Sequence, residues 1–192
     1  MLNLTKGQEF KLDLSKGVIS KLNVGLGWDT EADLDVHAIL YNKDGKPLSR
    51  VCFTNLNDRG VTLSGDNTTG KGDGDDEIIF IDINTLDKEV ATLGIYVKVF
   101  TPFSTFKNVK GSFIRLYDDS TSYTKSMLDN GEYDKYKIVH FANIEIQGKE
   151  LVYKVIMNGE EDSMGKIAKR PLISEKSFNK EQPAKKKLFG LF

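Results

Sequence analysis

The chain has 192 residues, 39% hydrophobic and 29% charged, with 27 Lys and Arg against 28 Asp and Glu for a net charge of −1, which suits one buried soluble domain plus an extension. The charge is unevenly spread: residues 166–192 hold eight Lys or Arg against Glu175 and Glu181, a balance of +6 that leaves −7 for residues 1–165. A body that acidic argues against a nucleic-acid partner, which needs a basic footprint, and the single cysteine, Cys52, excludes an internal disulfide and a thiolate zinc cluster.

Taken in chain order, the sequence reads as strands with one buried face, because apolar residues recur every second position. Phe10, Leu12 and Leu14 alternate with polar residues, then Leu22, Val24, Leu26 and Trp28, then Leu34, Val36, Ala38 and Leu40. The pattern resumes at Ile79, Ile81 and Ile83, at Leu93 to Val99, Phe113 to Tyr117, Ile138 to Ile146 and Leu151 to Met157. Turn signals separate them, among them Lys43-Asp44-Gly45-Lys46, Asn130-Gly131, Gln147-Gly148 and Asn158-Gly159. This predicts an all-β, two-sheet β-sandwich over residues 1–165. Helical candidates are few and short, led by Asn84 to Val90 and a turn near Thr121 to Asp129.

After about Gly165 the period ends and Pro171, Pro183 and lysines dominate, which predicts a flexible basic tail over 166–192. Its end, Lys185-Lys186-Lys187-Leu188-Phe189-Gly190-Leu191-Phe192, reads first as a frayed terminus. The competing reading is a docking motif that inserts Leu188 to Phe192 into a partner groove or a membrane interface. The N-terminus shows no basic start followed by an apolar stretch, and no run approaches the ~20 apolar residues of a membrane span. With one cysteine and no such signals, the cytoplasm is the expected compartment.

The richest segment is Gly65 to Glu77, Gly-Asp-Asn-Thr-Thr-Gly-Lys-Gly-Asp-Gly-Asp-Asp-Glu, with five carboxylates and four glycines. Like charges ~4 Å apart repel by ~1 kcal/mol even in bulk water, and Lys71 is the only base in the loop, so a cation is expected to offset the repulsion. Calcium takes six to eight oxygens at ~2.3 to 2.6 Å. Asp66, Asn67, Asp73, Asp75, Asp76 and Glu77 supply side-chain oxygens, and the glycines allow carbonyls to turn inward. Such ligand density leans toward calcium over magnesium. The loop is not an EF-hand: Lys71 stands where that motif needs glycine, and its flanks read as strands.

A second acidic group, Asp29, Glu31, Asp33 and Asp35, opens the strand from Leu34. Asp33 and Asp35 are two apart and share one face, opposite Leu34 and Val36, so they are placed to close a cation site from the other side. His37 follows on the same face and reads as a structural histidine, with an Asp35-His37 couple at the metal as the alternative. His140 lies in an apolar run, and Cys52 beside Phe53 reads as a small core residue.

Leu4-Thr-Lys-Gly, Val24-Gly-Leu-Gly-Trp-Asp29, Asp33-Leu-Asp35, Gly65 to Glu77 and Gly111-Ser-Phe-Ile-Arg-Leu116 together resemble the TerD family of tellurium-resistance and stress-response proteins, in order from about residue 1 to 160. The resemblance implies a β-sandwich that binds one or two calcium ions through acidic loops, and a role in tellurite, oxidative or phage-related stress. Carried over, the ligands would come from Asp33, Asp35, Asp66, Asn67, Asp73, Asp75, Asp76 and Glu77. The chain departs from the family at Val99-Phe-Thr-Pro-Phe103, where relatives usually carry Ile-His-Asp-Ala-Glu.

The resulting expectation is a non-enzymatic calcium-binding module whose loaded loops order the domain for proteins of a stress-response complex, some of them membrane-associated. A calcium-dependent, C2-like membrane module is the alternative, ranked lower because the loop around Gly70 has no apolar tip. A metal-dependent hydrolase ranks last, since the sequence has no Gly-x-Ser-x-Gly, no phosphate-binding loop and no His pair at metal spacing.

Overall fold

Alternation in the sequence becomes burial in the fold: Leu22, Val24 and Leu26 are fully buried, as are Leu34, Val36, Ala38 and Leu40. The computed structural model describes residues 2, 4–15, 17 and 19–172. The segment from residue 173 on, including Leu188 to Phe192, lies outside the described residues.

Two sheets of six strands face each other. One runs in the order β1 (Glu9–Asp13), β12 (Glu150–Glu160), β11 (Ile138–Gln147), β8 (Thr92–Val99), β3 (Leu34–Tyr41) and β4 (Pro47–Val51). The other runs β10 (Ser122–Met127), β9 (Phe113–Tyr117), β2 (Lys21–Gly27), β7 (Glu77–Asp82), β6 (Val61–Leu63) and β5 (Asn57–Asp58). Their inward residues form one core that joins Leu26, Ile79 and Leu116 to Val36, Val97 and Phe141. The two-sheet β-sandwich expected from the sequence is the observed architecture.

Both expected helices are absent. At Asn84 to Val90, the Thr85 and Leu86 N–H groups donate to the Asp82 carbonyl at 3.2 and 2.8 Å, but the Asn84 N–H goes to Asp82 Oδ1 and the Asp87 N–H to the Arg59 carbonyl. The Glu89 N–H in turn goes to Asp87 Oδ1 at 2.9 Å, so the Arg59 carbonyl and an aspartate side chain take donors that a second turn would use. Thr121 to Asp129 contains β10, paired antiparallel with β9 from Ser122↔Tyr117 to Met127↔Phe113. Its inward positions are the small polar residues Thr124 and Ser126, both buried, so the strand lacks an apolar alternation.

Helical structure occurs instead as a 3-10 turn at Phe106–Asn108 and as α1 (Met164–Ile167). The latter packs Met164 and Ile167 on Ile39, Tyr41, Tyr96 and Ile138, on the outer face of the first sheet. The Leu172 N–H then donates to the Gly45 carbonyl at 2.8 Å. The segment beyond Gly165 therefore begins packed: burying a side chain of this size contributes about 1.5–3 kcal/mol, enough to hold a short helix of low intrinsic stability.

Candidate metal centre

The long loop Ser64–Asp76 lies across one end of the sandwich, and β2 supplies its seat. Gly25 leaves the space that the Asp75 carboxylate fills, Gly27 lies directly beneath the Gly74 carbonyl, and Gly70 rests on the Trp28 indole. A side chain at any of these glycines would collide with the loop or its support. The Val24-Gly-Leu-Gly-Trp-Asp29 motif is thus a surface cut to receive the acidic segment. Gly70 also has φ +53°, in the left-handed region that favours glycine. Gly70→Ala is expected to destabilise the domain by about 2 kcal/mol through clash and backbone strain, read by denaturant unfolding.

Three of the acids anchor the loop. Both oxygens of Asp75 are taken by Arg115 on β9, at 2.7 Å from Nε and 2.9 Å from Nη2. Asp76 Oδ2 accepts the Trp28 N–H at 2.9 Å, and its Oδ1 accepts from Asn67 Nδ2 at 3.0 Å. Glu77, fully buried, accepts the Val36 N–H at 2.7 Å. That N–H lies at the edge of β3 that β4 would cover, but the β3–β4 ladder runs only from Ala38↔Val51 to Tyr41↔Pro47, so Glu77 substitutes for the missing strand.

Asp33, Asp35 and Asp66 converge differently: one carboxylate oxygen from each lies within 4.8 Å of the others. Asp33 and Asp35 reach this point from the start of β3, and Asp66 reaches it from the loop. Asp35 is 2% exposed, and its Oδ2 and the buried Asp33 Oδ1 have no hydrogen-bond partner among the described residues. Burial first, and the Asp33 charge second, push the Asp35 carboxyl up to about 7. Burial and Asp66 raise Asp33 as well. Burial pushes Glu77 up to about 8 despite the Val36 N–H, with the charges of Asp35 and Asp66 adding to the rise. Lys98, directly across the ladder from Asp35, and Arg50 are the compensating cations. The pKa of Lys98 is itself lowered by burial.

These observations separate residues that the sequence grouped together. Asp33, Asp35 and Asp66 meet, with Glu77 adjoining them. Asn67 and Asp76 brace the loop, Asp75 belongs to the Arg115 ion pair, and Asp73 is exposed. Orphaned buried oxygens beside two further carboxylates suit a hard cation with oxygen ligands. Arg115 was not singled out by the sequence. The signal that could have found it is Gly111-Ser-Phe-Ile-Arg-Leu116, an arginine on a strand among motifs that otherwise carry acids. His37 is 2% exposed with neither ring nitrogen hydrogen-bonded, and its Nε2 stands 4.0 Å from Asp35 Oδ2. Burial, then Arg50 and Lys98, hold it neutral with a pKa of about 3, so it is not the satisfied structural histidine the sequence suggested.

Elsewhere, a cavity of about 870 Å³ lies over the outer face between Lys6, Tyr136, His140 and Arg170. Among its polar groups, His140 Nε2 pairs with Asn143 Oδ1 at 2.8 Å, and Arg170 with Glu160.

Together these features define an antiparallel β-sandwich domain with a glycine-seated acidic loop and a carboxylate cluster at one end. The TerD domain model matches residues 1–170, and the chain belongs to the TerD family. The tellurium resistance protein TerZ of Serratia marcescens is 33% identical over 137 residues, covering 62% of this chain and 70% of that protein. The stress response protein SCP2 of Bacillus subtilis is 32% identical over 190 residues, covering 84% and 94%. The crystal structure of a homologue of telluride resistance protein (TerD) from Streptomyces coelicolor superposes with a TM-score of 0.68 over 79% of this chain and 96% of that one, at 17% identity. That likeness concerns the fold alone.

Proposed function

We propose that the chain is a calcium-binding, non-enzymatic module of a stress response, as the names of its relatives suggest, and that its loaded loops order the domain for other proteins of a stress-response complex, some of them membrane-associated. The observation that carries the calcium reading is the nearly inaccessible Asp35, whose Oδ2 has no hydrogen-bond donor among the described residues and whose carboxylate lies within 4.8 Å of oxygens from Asp33 and Asp66. A buried, unpaired carboxylate is strongly unfavourable unless it is protonated or meets a cation. Asp33, Asp35 and Asp66 would hold the ion, with Glu77 at their side, while Asn67, Asp75 and Asp76 fix the loop that carries Asp66.

The ion would neutralise stacked charge, and the acids that surround it are engaged in holding backbone, which is a positioning role rather than a catalytic one. No helix among the described residues is long and apolar enough to cross a membrane. Together with the buried free Cys52, this supports a cytoplasmic reading. Titration of the full chain with calcium and with magnesium, by calorimetry and amide NMR, is expected to show saturable, calcium-preferring binding with the largest shifts at residues 33–37 and 64–77. No calcium binding at millimolar concentration would overturn the reading.

A further inference from the structure

Beside the carboxylate cluster the chain makes an unusual choice. Phe103 is fully solvent-exposed and has φ +61°. The Ser104 N–H donates to the Thr101 carbonyl at 3.3 Å, closing a four-residue turn with Pro102 and Phe103 at its centre. A positive φ at the second central position is the mark of a type II turn, where glycine or asparagine is favoured. A bulky aromatic residue there is disfavoured by the backbone and by water alike, a combination that points to function rather than folding.

The same loop is tied to the cluster: the Phe100 N–H donates to the Asp33 carbonyl at 2.8 Å, and Thr101 Oγ1 accepts the Asp33 N–H at 2.7 Å. Phe100 is 45% exposed and packs edge-on against Phe53 with ring centroids 5.5 Å apart. Lys98 Nζ sits 4.0 Å above the Phe100 ring, within electrostatic reach of Arg50 and Lys137. Three phenylalanines, three basic side chains and the Asp33, Asp35 and Asp66 carboxylates therefore share one corner of the outer face.

We infer that this corner docks on an anionic phospholipid surface, with the Phe103 and Phe100 rings entering the boundary between headgroups and acyl chains and the cation at Asp33, Asp35 and Asp66 bridging to headgroups. The inference rests on the calcium-binding reading above. A stable protein partner would cover about 800 Å² on each side, whereas aromatic side chains bury about 150–250 Å² each, and two of these three are already partly covered. A lipid boundary accepts isolated rings on a narrow turn, and basic side chains beside them complement anionic headgroups. Without the cation the carboxylates offset the attraction of the three basic side chains to that surface, so docking is calcium-dependent. The apolar tip missing from the loop around Gly70 is thus supplied by the neighbouring turn.

The test is flotation of the full chain with phosphatidylcholine vesicles, with and without phosphatidylserine, in calcium or in chelator, after calorimetry has established calcium binding in solution. Binding is expected only with both phosphatidylserine and calcium. Phe103→Asn, which keeps the turn, should lower the vesicle partition coefficient about tenfold or more, and Phe103→Trp should retain binding. Calcium binding in solution without vesicle binding would overturn this inference and leave the calcium reading standing. Vesicle binding that survives chelator, or an unchanged Phe103→Asn variant, would overturn it as well. Absence of calcium binding in the calorimeter would remove both.

Discussion

Replacing Asp35 by asparagine is expected to weaken calcium binding on the order of a hundredfold and, in the same protein, to raise the stability of the calcium-free domain. Both effects come from one carboxylate that is buried, unpartnered and pushed up to about 7. Its ordinary value is 3.8, and each unit of displacement corresponds to about 1.4 kcal/mol. At pH 8 the charged Asp35 therefore weakens the folded calcium-free state by roughly 4 kcal/mol, which asparagine removes.

The sign with pH follows from the proton count. Folded Asp35 and Glu77 retain protons to about 7 and about 8, while the unfolded chain has released them. Calcium-free stability therefore falls as pH rises across this window, and calcium, which displaces those protons, binds more tightly over the same range. The buried His37 and His140 act oppositely: held at about 3 and about 4, they lower stability as pH falls below the ordinary 6.5. The carboxylate slope is thus cleanest between about pH 6.5 and 8. Denaturant unfolding in chelator at those two pH values, on wild type and Asp35→Asn, checks the claim. A variant no more stable than wild type at pH 8 would refute it.

Arg115→Ala is expected to destabilise the domain by about 3 kcal/mol. The Asp75 side chain is 3% exposed, and both of its oxygens are held by this one guanidinium. Removing the arginine leaves a charge buried in the seat over Gly25 with, among the described residues, only the Tyr117 hydroxyl still bonded to it. The double variant Arg115→Ala, Asp75→Ala should recover part of the loss, because it removes the stranded charge as well. Unfolding midpoints of the two single variants and the double variant give the coupling. If the double variant is the sum of the singles, Asp75 does not depend on Arg115.

The sandwich was legible because most strands alternate large apolar with polar residues, as in Leu22 to Trp28. β10 was not, because Thr124 and Ser126 fill its inward positions with small polar side chains. The segment Asn84 to Val90 carried helix-forming residues, but Asp82 and Asp87 divert its backbone donors, a competition that local propensity does not weigh. At the acidic end the shared face of Asp33 and Asp35 was visible from their spacing. The division of labour in the loop was not: Asp75 is assigned by an arginine 40 residues away, and Glu77 by the point where β4 leaves β3. The turn at Phe100 to Phe103 was noticed only as a departure from the family pattern, since its nearness to Asp33 depends on tertiary bonds.

The glycine seat on β2 has a consequence for how such a domain can change. Two of the clamps on the loop, Arg115 with Asp75 and Trp28 with Asp76, are separate from the three aspartates that meet at its edge, whereas Glu77, bonded to Val36, adjoins them. An ion bound there, as proposed, would meet a loop already held at Asp75 and Asp76. Substitutions at the aspartates can accordingly retune charge, ion preference or affinity while the scaffold keeps its shape, whereas changes at the glycines and clamps would alter the scaffold itself. The selectivity of the site and the integrity of the fold are free to evolve at different speeds.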